Sequence, residues 1–226
     1  MSPVWSPDGG RILFTSLRDG HGNLYQRAAS GGGADEVLVQ SAFSKMPNDW
    51  SADGKFILYQ EMDPKTSQDL WVFPLAGGQK QFPVLKTPFD ERQGRFSPDG
   101  RWIAYASNES GPWQVYVRSF PDPGGKWQVS TNGGGQPQWR GDGRELFYLS
   151  ADRRLMAVEV GGSGPTFEAS APQELFVLRI QAIGLPGFRN FYAAAKDGQR
   201  FLVTSLVGDP TASPTKVVLN WTADLK

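Results

Sequence analysis

Arg95-Phe96-Ser97-Pro98-Asp99-Gly100-Arg101-Trp102-Ile103 decides the fold, because its parts recur along the chain. An aromatic residue comes first, an Asp-Gly pair follows three positions later, and an apolar run comes next. Trp5, Asp8-Gly9 and Ile12 to Phe14 keep that order, as do Trp50, Asp53-Gly54 and Phe56 to Tyr59. So do Trp139, Asp142-Gly143 and Leu146 to Leu149. A fifth copy at Asp197-Gly198 is degenerate: Ala194 takes the aromatic position, Phe191 and Tyr192 lie just upstream, and Phe201 to Val203 form the run. Successive pairs are 45, 46, 43 and 55 residues apart, the period of a repeat architecture.

The turn has a mechanism. In Ser6-Pro7-Asp8-Gly9 and Ser97-Pro98-Asp99-Gly100, proline presets φ at the second position, and glycine accepts the left-handed backbone that closes a hairpin. Ser51-Ala52-Asp53-Gly54 and Arg140-Gly141-Asp142-Gly143 keep the Asp-Gly pair without the proline. A second apolar run follows a polar loop at Leu24-Tyr25, Leu70 to Phe73, Val115 to Val117, Leu155 to Val158 and Val217 to Leu219. A third stands at Val37 to Val39, Phe82 to Leu85, Trp127 to Val129 and Glu174 to Val177. Runs this short are strands, not helices.

Each unit therefore reads as four antiparallel strands, and the pattern predicts about nineteen, with three in the last unit. Leu13 beside Phe14 and Leu58 beside Tyr59 show that both faces are apolar and must be covered. Units of this size bury two faces by stacking radially, so the expected fold is all-β, a β-propeller. A linear β-solenoid has shorter, parallel rungs. Expected blades are 3–45, 46–91, 92–135, 136–187 and 188–226, within one domain spanning 1–226.

Composition agrees. The chain has 226 residues and 24.8 kDa, with 27 glycines, 17 prolines, 8 tryptophans and no cysteine. That suits a turn-rich β domain and excludes a disulfide scaffold. Lys plus Arg is 23 and Asp plus Glu is 23, so no basic excess exists to hold a nucleic acid. Apolar stretches end after a few residues, far short of a membrane span, and Met1 to Trp5 lacks the basic and apolar regions of a signal peptide. Absence of cysteine leaves the compartment open.

Catalytic sets fail one by one. A serine triad needs a histidine, and the single one, His21, lies in a polar loop with no G-x-S-x-G elbow in the chain. One histidine without cysteine cannot make a usual zinc site. One aspartate per repeat does not build a calcium loop. Gly31 to Gly33, Gly124-Gly125-Lys126 and Gly133 to Gly135 lack the lysine and helix of a phosphate loop. The Asp-Gly spacing is also out of register with a sialidase Asp-box. The expectation is a non-enzyme with no metal and no cofactor. Asp8, Gly9, Asp53, Gly54, Asp99, Gly100, Asp142, Gly143, Asp197 and Gly198 are read as structural turn residues.

Val4 to Ile12 followed by Leu24-Tyr25, and Arg95 to Ile103 followed by Val115 to Val117, resemble the WD-repeat-like propeller repeat of TolB. The resemblance runs from residue 3 to about 207. Phe89 to Phe96 and Val217 to Trp221 resemble more closely the C-terminal propellers of bacterial serine/threonine protein kinases. It implies a sensor or interaction module of a larger signalling protein, outside the cytoplasm if that parent is membrane-anchored. No H-R-D or D-F-G motif occurs in this chain. The repeat also resembles the substrate-gating propeller of prolyl-oligopeptidase-type peptidases, and that role or that of a TolB-like periplasmic interaction protein is the alternative the resemblance implies. TolB-like rings commonly have six blades, so the resemblance implies an open, five-unit part of such a ring, lacking about one blade upstream.

Propellers bind at the mouth of the central channel, next to the innermost strands. Residues just before the aromatic marker are Val4, Asp49, Arg95 and Gln138, with Asn48, Arg92, Gln93, Gln136, Arg189 and Asn190 further upstream. Asn48, Asp49, Arg92, Arg95, Gln138 and Asn190 are the candidate ligand-binding set. A protein or peptide is the expected partner and a small polar ligand the alternative, with Arg92 and Arg95 as holders of an anionic group. The bland reading is that a water-filled channel simply has polar walls. Trp113 and Phe188 are weaker candidates, as loop aromatics.

Overall fold

The computed structural model describes residues 3–76, 78, 80–122, 124–161, 164, 166–180, 190–205 and 216–219, the last four by backbone alone. The described residues form strands and turns, without a helix, in five antiparallel sheets. Blade one is β1 (Val4–Trp5), β2 (Arg11–Ser16), β3 (Asn23–Ala28) and β4 (Glu36–Val39). Blade two is β5 (Lys45–Trp50), β6 (Phe56–Asp63), β7 (Ser67–Pro74) and β8 (Phe82–Leu85). Blade three is β9 (Glu91–Phe96), β10 (Trp102–Ser107), β11 (Gln114–Ser119) and β12 (Lys126–Gln128). Blade four is β13 (Gly135–Trp139), β14 (Glu145–Leu149) and β15 (Arg154–Gly161), with β16 (Glu168–Ala169) and β17 (Gln173–Val177) both on the outer edge of β15. Blade five shows β18 (Tyr192–Ala194), β19 (Arg200–Val203) and β20 (Lys216–Leu219).

The described strands number twenty, one more than the repeat count predicts. The extra one comes from blade four, whose outer strand is two short pieces paired to opposite ends of β15. That division absorbs part of the long fourth spacing.

Each hairpin turn is held by its own side chains. Ser97 Oγ donates to Asp99 Oδ1 at 2.6 Å and accepts from the Trp102 amide at 2.9 Å, while Asp99 Oδ1 accepts from the Arg101 amide at 3.1 Å. Gly100 has φ +72° and donates to the Ser97 carbonyl at 2.9 Å. Blades one and two repeat the Ser-x-Asp arrangement at Ser6/Asp8 and Ser51/Asp53. In blade four Arg140 replaces the serine, and its guanidinium takes Asp142 at 2.6 and 2.8 Å.

Period-two alternation sends consecutive apolar residues to opposite interfaces. Ile57 and Tyr59 pack with Leu13, Leu24 and Val39 of blade one, whereas Leu58 between them packs with Phe96, Ile103 and Tyr105 of blade three. Likewise Leu146 and Tyr148 join the core with blade three, and Phe147 and Leu149 join the core with blade five. Four cores thus link blades one to two, two to three, three to four and four to five. Each enclosed large apolar side chain contributes about 1.5–3 kcal/mol. No core of described residues joins blade five back to blade one. Among the described residues the arc is open, as the resemblance implies.

Candidate functional site

The first strands of blades one, two, three and five line the channel, and in blades two, three and four a β-bulge sets the side chains of that strand. Arg95 pairs with Ala104 and Arg92 with Ala106, so Gln93 and Gly94 together oppose Tyr105. Gln136 and Pro137 oppose Tyr148 in the same way, and Pro47 and Asn48 oppose Tyr59. Gln93 and Gln136 take left-handed backbone, φ +58° and +59°. A bulge bends the strand and re-aims its side chains, here toward the neighbouring blade.

The re-aimed amides form a ladder between blades. Gln60 Oε1 accepts from Asn48 Nδ2 at 3.3 Å and from the Gln93 amide at 3.4 Å. Gln93 Oε1 accepts from the Gln136 amide at 2.7 Å, and Gln136 Oε1 accepts from the Phe191 amide at 2.7 Å. One level along, Asp49 Oδ2 accepts from the Phe96 amide at 2.8 Å. Gln138 Oε1 accepts from the Ala194 amide at 3.0 Å, and its Nε2 donates to the Tyr192 carbonyl at 2.7 Å. Arg95 Nη1 donates to the Asn48 carbonyl at 2.7 Å and stands 3.6 Å from Asp49 Oδ1. Burial pushes the Asp49 carboxyl up, and Arg95 and the Phe96 amide pull it back.

Five of the six candidates, Asn48, Asp49, Arg92, Arg95 and Asn190, line one cavity of about 1260 Å³. Gln138 is not in that wall and bridges β13 to β18 instead. Arg92 pairs with Asp90 at 3.0 Å and lies 5.3 Å from the centre of the Trp113 ring, which is half-buried and not the exposed aromatic that its loop position suggested. Both arginines assigned to an anion therefore already carry a carboxylate. Asn48 Oδ1 is enclosed and has no hydrogen-bond partner. Arg189, Phe188 and Trp221 lie outside the described residues.

Lys45, Gln60, Gln68, Lys196, Trp5 and Leu17 also line the cavity and escaped the sequence reading. Lys45 is fully enclosed: Nζ donates to Ser41 Oγ at 2.6 Å and the Phe43 carbonyl at 2.5 Å, and stands 3.5 Å from Glu61. Burial lowers its pKa, and Glu61 opposes that. Counted back five residues from the aromatic marker, Glu91 takes the same position in blade three and Gly134 in blade four. His21 is exposed, and among the described residues no group of three His, Asp or Glu side chains could hold a metal ion.

Blades stacked around a polar channel define a β-propeller, and its likeness is to TolB. No protein-family model matches the chain. Over 118 residues, 51% of this chain, it is 25% identical to the Tol-Pal system protein TolB of Bordetella pertussis. That match spans 26% of the relative's length. The crystal structure of TolB from Acinetobacter baumannii superposes with a TM-score of 0.69 at 18% identity, covering 92% of this chain and 49% of that one. A puromycin-hydrolyzing peptidase of Mycobacterium tuberculosis superposes with a TM-score of 0.62 at 18% identity, covering 89% and 34%. The fold is thus TolB-like, and the chain spans about a quarter of the relative and half of the TolB structure.

Proposed function

We propose that the chain is a non-catalytic binding propeller that takes a peptide or protein segment at the mouth of its channel. In this reading it is the sensor or interaction module of a larger bacterial signalling protein, of the serine/threonine kinase kind. The observation that carries it is the 1260 Å³ cavity, whose wall mixes apolar Trp5, Leu17 and Met62 with polar Asn48, Gln60 and Gln68. A peptide backbone offers N–H and C=O groups at regular intervals to such a wall. Asn48, Asp49, Arg92, Arg95 and Asn190 are the contact residues, with Gln138 as their support. Because Arg92 and Arg95 are paired with Asp90 and Asp49, a neutral or zwitterionic segment suits the mouth better than an anion.

The TolB likeness supports an interaction role, and the kinase setting rests on the resemblance of residues 89–96 and 217–221. Likeness to a peptidase propeller favours a second reading, a gate that filters substrate for an attached hydrolase. A domain-level reading of the full gene separates the two. The binding reading is tested by selecting peptides from a random display library on the immobilised chain. Selected peptides should lose about tenfold or more in affinity on Asn190→Trp and Leu17→Arg, two exposed cavity positions. Peptides that bind both variants unchanged would move the site off the channel mouth.

A further inference from the structure

The glutamine ladder between blades ends on an exposed sulfur. Gln60 and Met62, two apart on β6, share a face of the sheet, and on β7 Gln68 stands directly opposite Met62. Gln60 and Gln68 are enclosed, 5% and 1% exposed, whereas Met62 is 43% exposed and lines the 1260 Å³ cavity beside them. Their hydrogen bonds run one way. The Gln93 amide donates to Gln60 Oε1 at 3.4 Å, Gln60 Nε2 donates to Gln68 Oε1 at 3.0 Å, and Gln68 Nε2 donates to Met62 Sδ at 3.0 Å. The sulfur is therefore the final acceptor of a chain that starts on the backbone of blade three.

A thioether is the weakest acceptor in that chain. Packing does not require it, because Leu17 takes the same place counted from the turn of blade one, and Asn108 and Ala151 take it in blades three and four. Blade one also has no amide to terminate: Thr15 replaces Gln60 there, and its hydroxyl donates to the Lys45 carbonyl at 2.9 Å. What sulfur adds is reactivity. The chain has no cysteine, so a peroxide meets sulfur in its methionines, and Met62 is exposed where Met46 and Met156 are half-buried.

We propose that Met62 is a peroxide-responsive modification site whose oxidation tightens the ladder. A lone pair of Sδ attacks one oxygen of a hydroperoxide, the S–O bond forms as the O–O bond breaks, and the remainder leaves as water or an alcohol. Sulfur gives up two electrons and the peroxide takes them, leaving a methionine sulfoxide. Its oxygen carries partial negative charge and accepts far better than the thioether did. Gln68 holds its place, because its side chain is enclosed and its backbone amide donates to Asp90 Oδ1 at 3.1 Å. Met62 borders solvent and makes the adjustment. Gln68 Nε2 then donates to the sulfoxide oxygen, and polarisation along the chain strengthens the bonds from Gln60 Nε2 and from the Gln93 amide. Methionine sulfoxide reductases reverse the step.

The test treats the full chain with dilute hydrogen peroxide and follows each methionine by peptide mapping in a mass spectrometer. Met62 should reach the sulfoxide at least about two-fold faster than Met46 or Met156. Hydrogen exchange of the Gln93 amide, read by NMR, should slow about two-fold in the oxidised chain and return to its first rate after the reductases for both sulfoxide epimers have acted. Met62→Leu keeps an apolar side chain that blade one already carries at this place, and peroxide should leave its Gln93 exchange unchanged. Met46→Leu should show the slowing in full. Oxidation of Met46 or Met156 as fast as Met62, Gln93 exchange that is unchanged or faster after oxidation, or slowing that persists in Met62→Leu would each overturn the proposal. Loss of the slowing in Met46→Leu would overturn it independently of how Met62→Leu folds.

Discussion

Alanine at Gly100 and at Gly198 should destabilise the chain by different amounts, although the two backbones are alike. Gly100 has φ +72° and Gly198 φ +71°, so each substitution incurs about 1 kcal/mol for holding an L-residue in the left-handed region. At Gly100 nothing lies within 4 Å of where the new Cβ would stand, and that cost is the whole effect. At Gly198 the Cβ would meet Arg140 Cδ at 2.7 Å and Phe147 Cζ at 3.2 Å. Neither neighbour yields easily. Arg140 is tied to Asp142 at 2.6 and 2.8 Å and to Glu145 at 2.6 Å, while Phe147 is fully enclosed, edge-on to Phe201 at 5.0 Å. Overpacking of this kind adds about 1–2 kcal/mol, for a total of about 2–3 kcal/mol. Urea unfolding followed by tryptophan fluorescence measures both. In a thermal scan about 1 kcal/mol corresponds to about 2–4 °C for a chain this long. A neutral or stabilising Gly100→Ala would refute the turn geometry, and equal losses at the two sites would refute the crowding at Arg140.

Burial holds the Glu91 carboxyl up at about 7, from 4.5, with Asp69, Glu109 and Asp90 adding and Thr87 opposing. Between those values the folded chain keeps a proton that the unfolded chain has lost, so this residue's contribution to stability falls as pH rises from about 4.5 to about 7. Glu91→Gln should therefore gain on the wild type across that window and hold a constant advantage above it. A difference in urea midpoint that is flat from pH 4 to 8 would count against the buried carboxyl. Lys45→Met strands the enclosed Glu61 and should lose about 3 kcal/mol, most of it recovered in Lys45→Met/Glu61→Gln. Equal stability of single and double variants would show that the pair is not coupled. Asp49→Ala removes the acceptor of the Phe96 amide and should lose about 1–3 kcal/mol, with faster hydrogen exchange at that amide. Unchanged exchange there would break the inter-blade link described above.

Repetition made the blades legible. The Asp-Gly turn, the aromatic marker before it and three apolar runs after it each carry a backbone or packing requirement that acts within a few residues. Consecutive apolar residues such as Leu58-Tyr59, both enclosed, even announced the two-sided burial. The channel wall was less readable, because a polar residue there can face the channel and also bond a neighbouring blade. Asp49, Arg95 and Gln138 meet partners 47 to 56 residues away, and which blade they reach depends on bulges that leave no mark in composition. Lys45 was missed for a related reason. A lysine opening a strand looks solvated until Ser41, Phe43 and Glu61 are folded around it.

The glutamine ladder has an electrostatic consequence. Gln60, Gln93 and Gln136 carry amide groups, which neither gain nor lose a proton in water's ordinary range, and the partners given above are backbone amides and the Asn48 carboxamide. The glutamine rungs are therefore indifferent to acidity, whereas Asp49, one level along, carries a titratable carboxyl. Near neutrality titration acts at the strand-start rim, where Glu91 is enclosed. Acidification through neutrality alters the charge of that rim while the bore behind it keeps its dimensions, so a ligand gripped by the ladder and one gripped by the rim would part company on a pH scale.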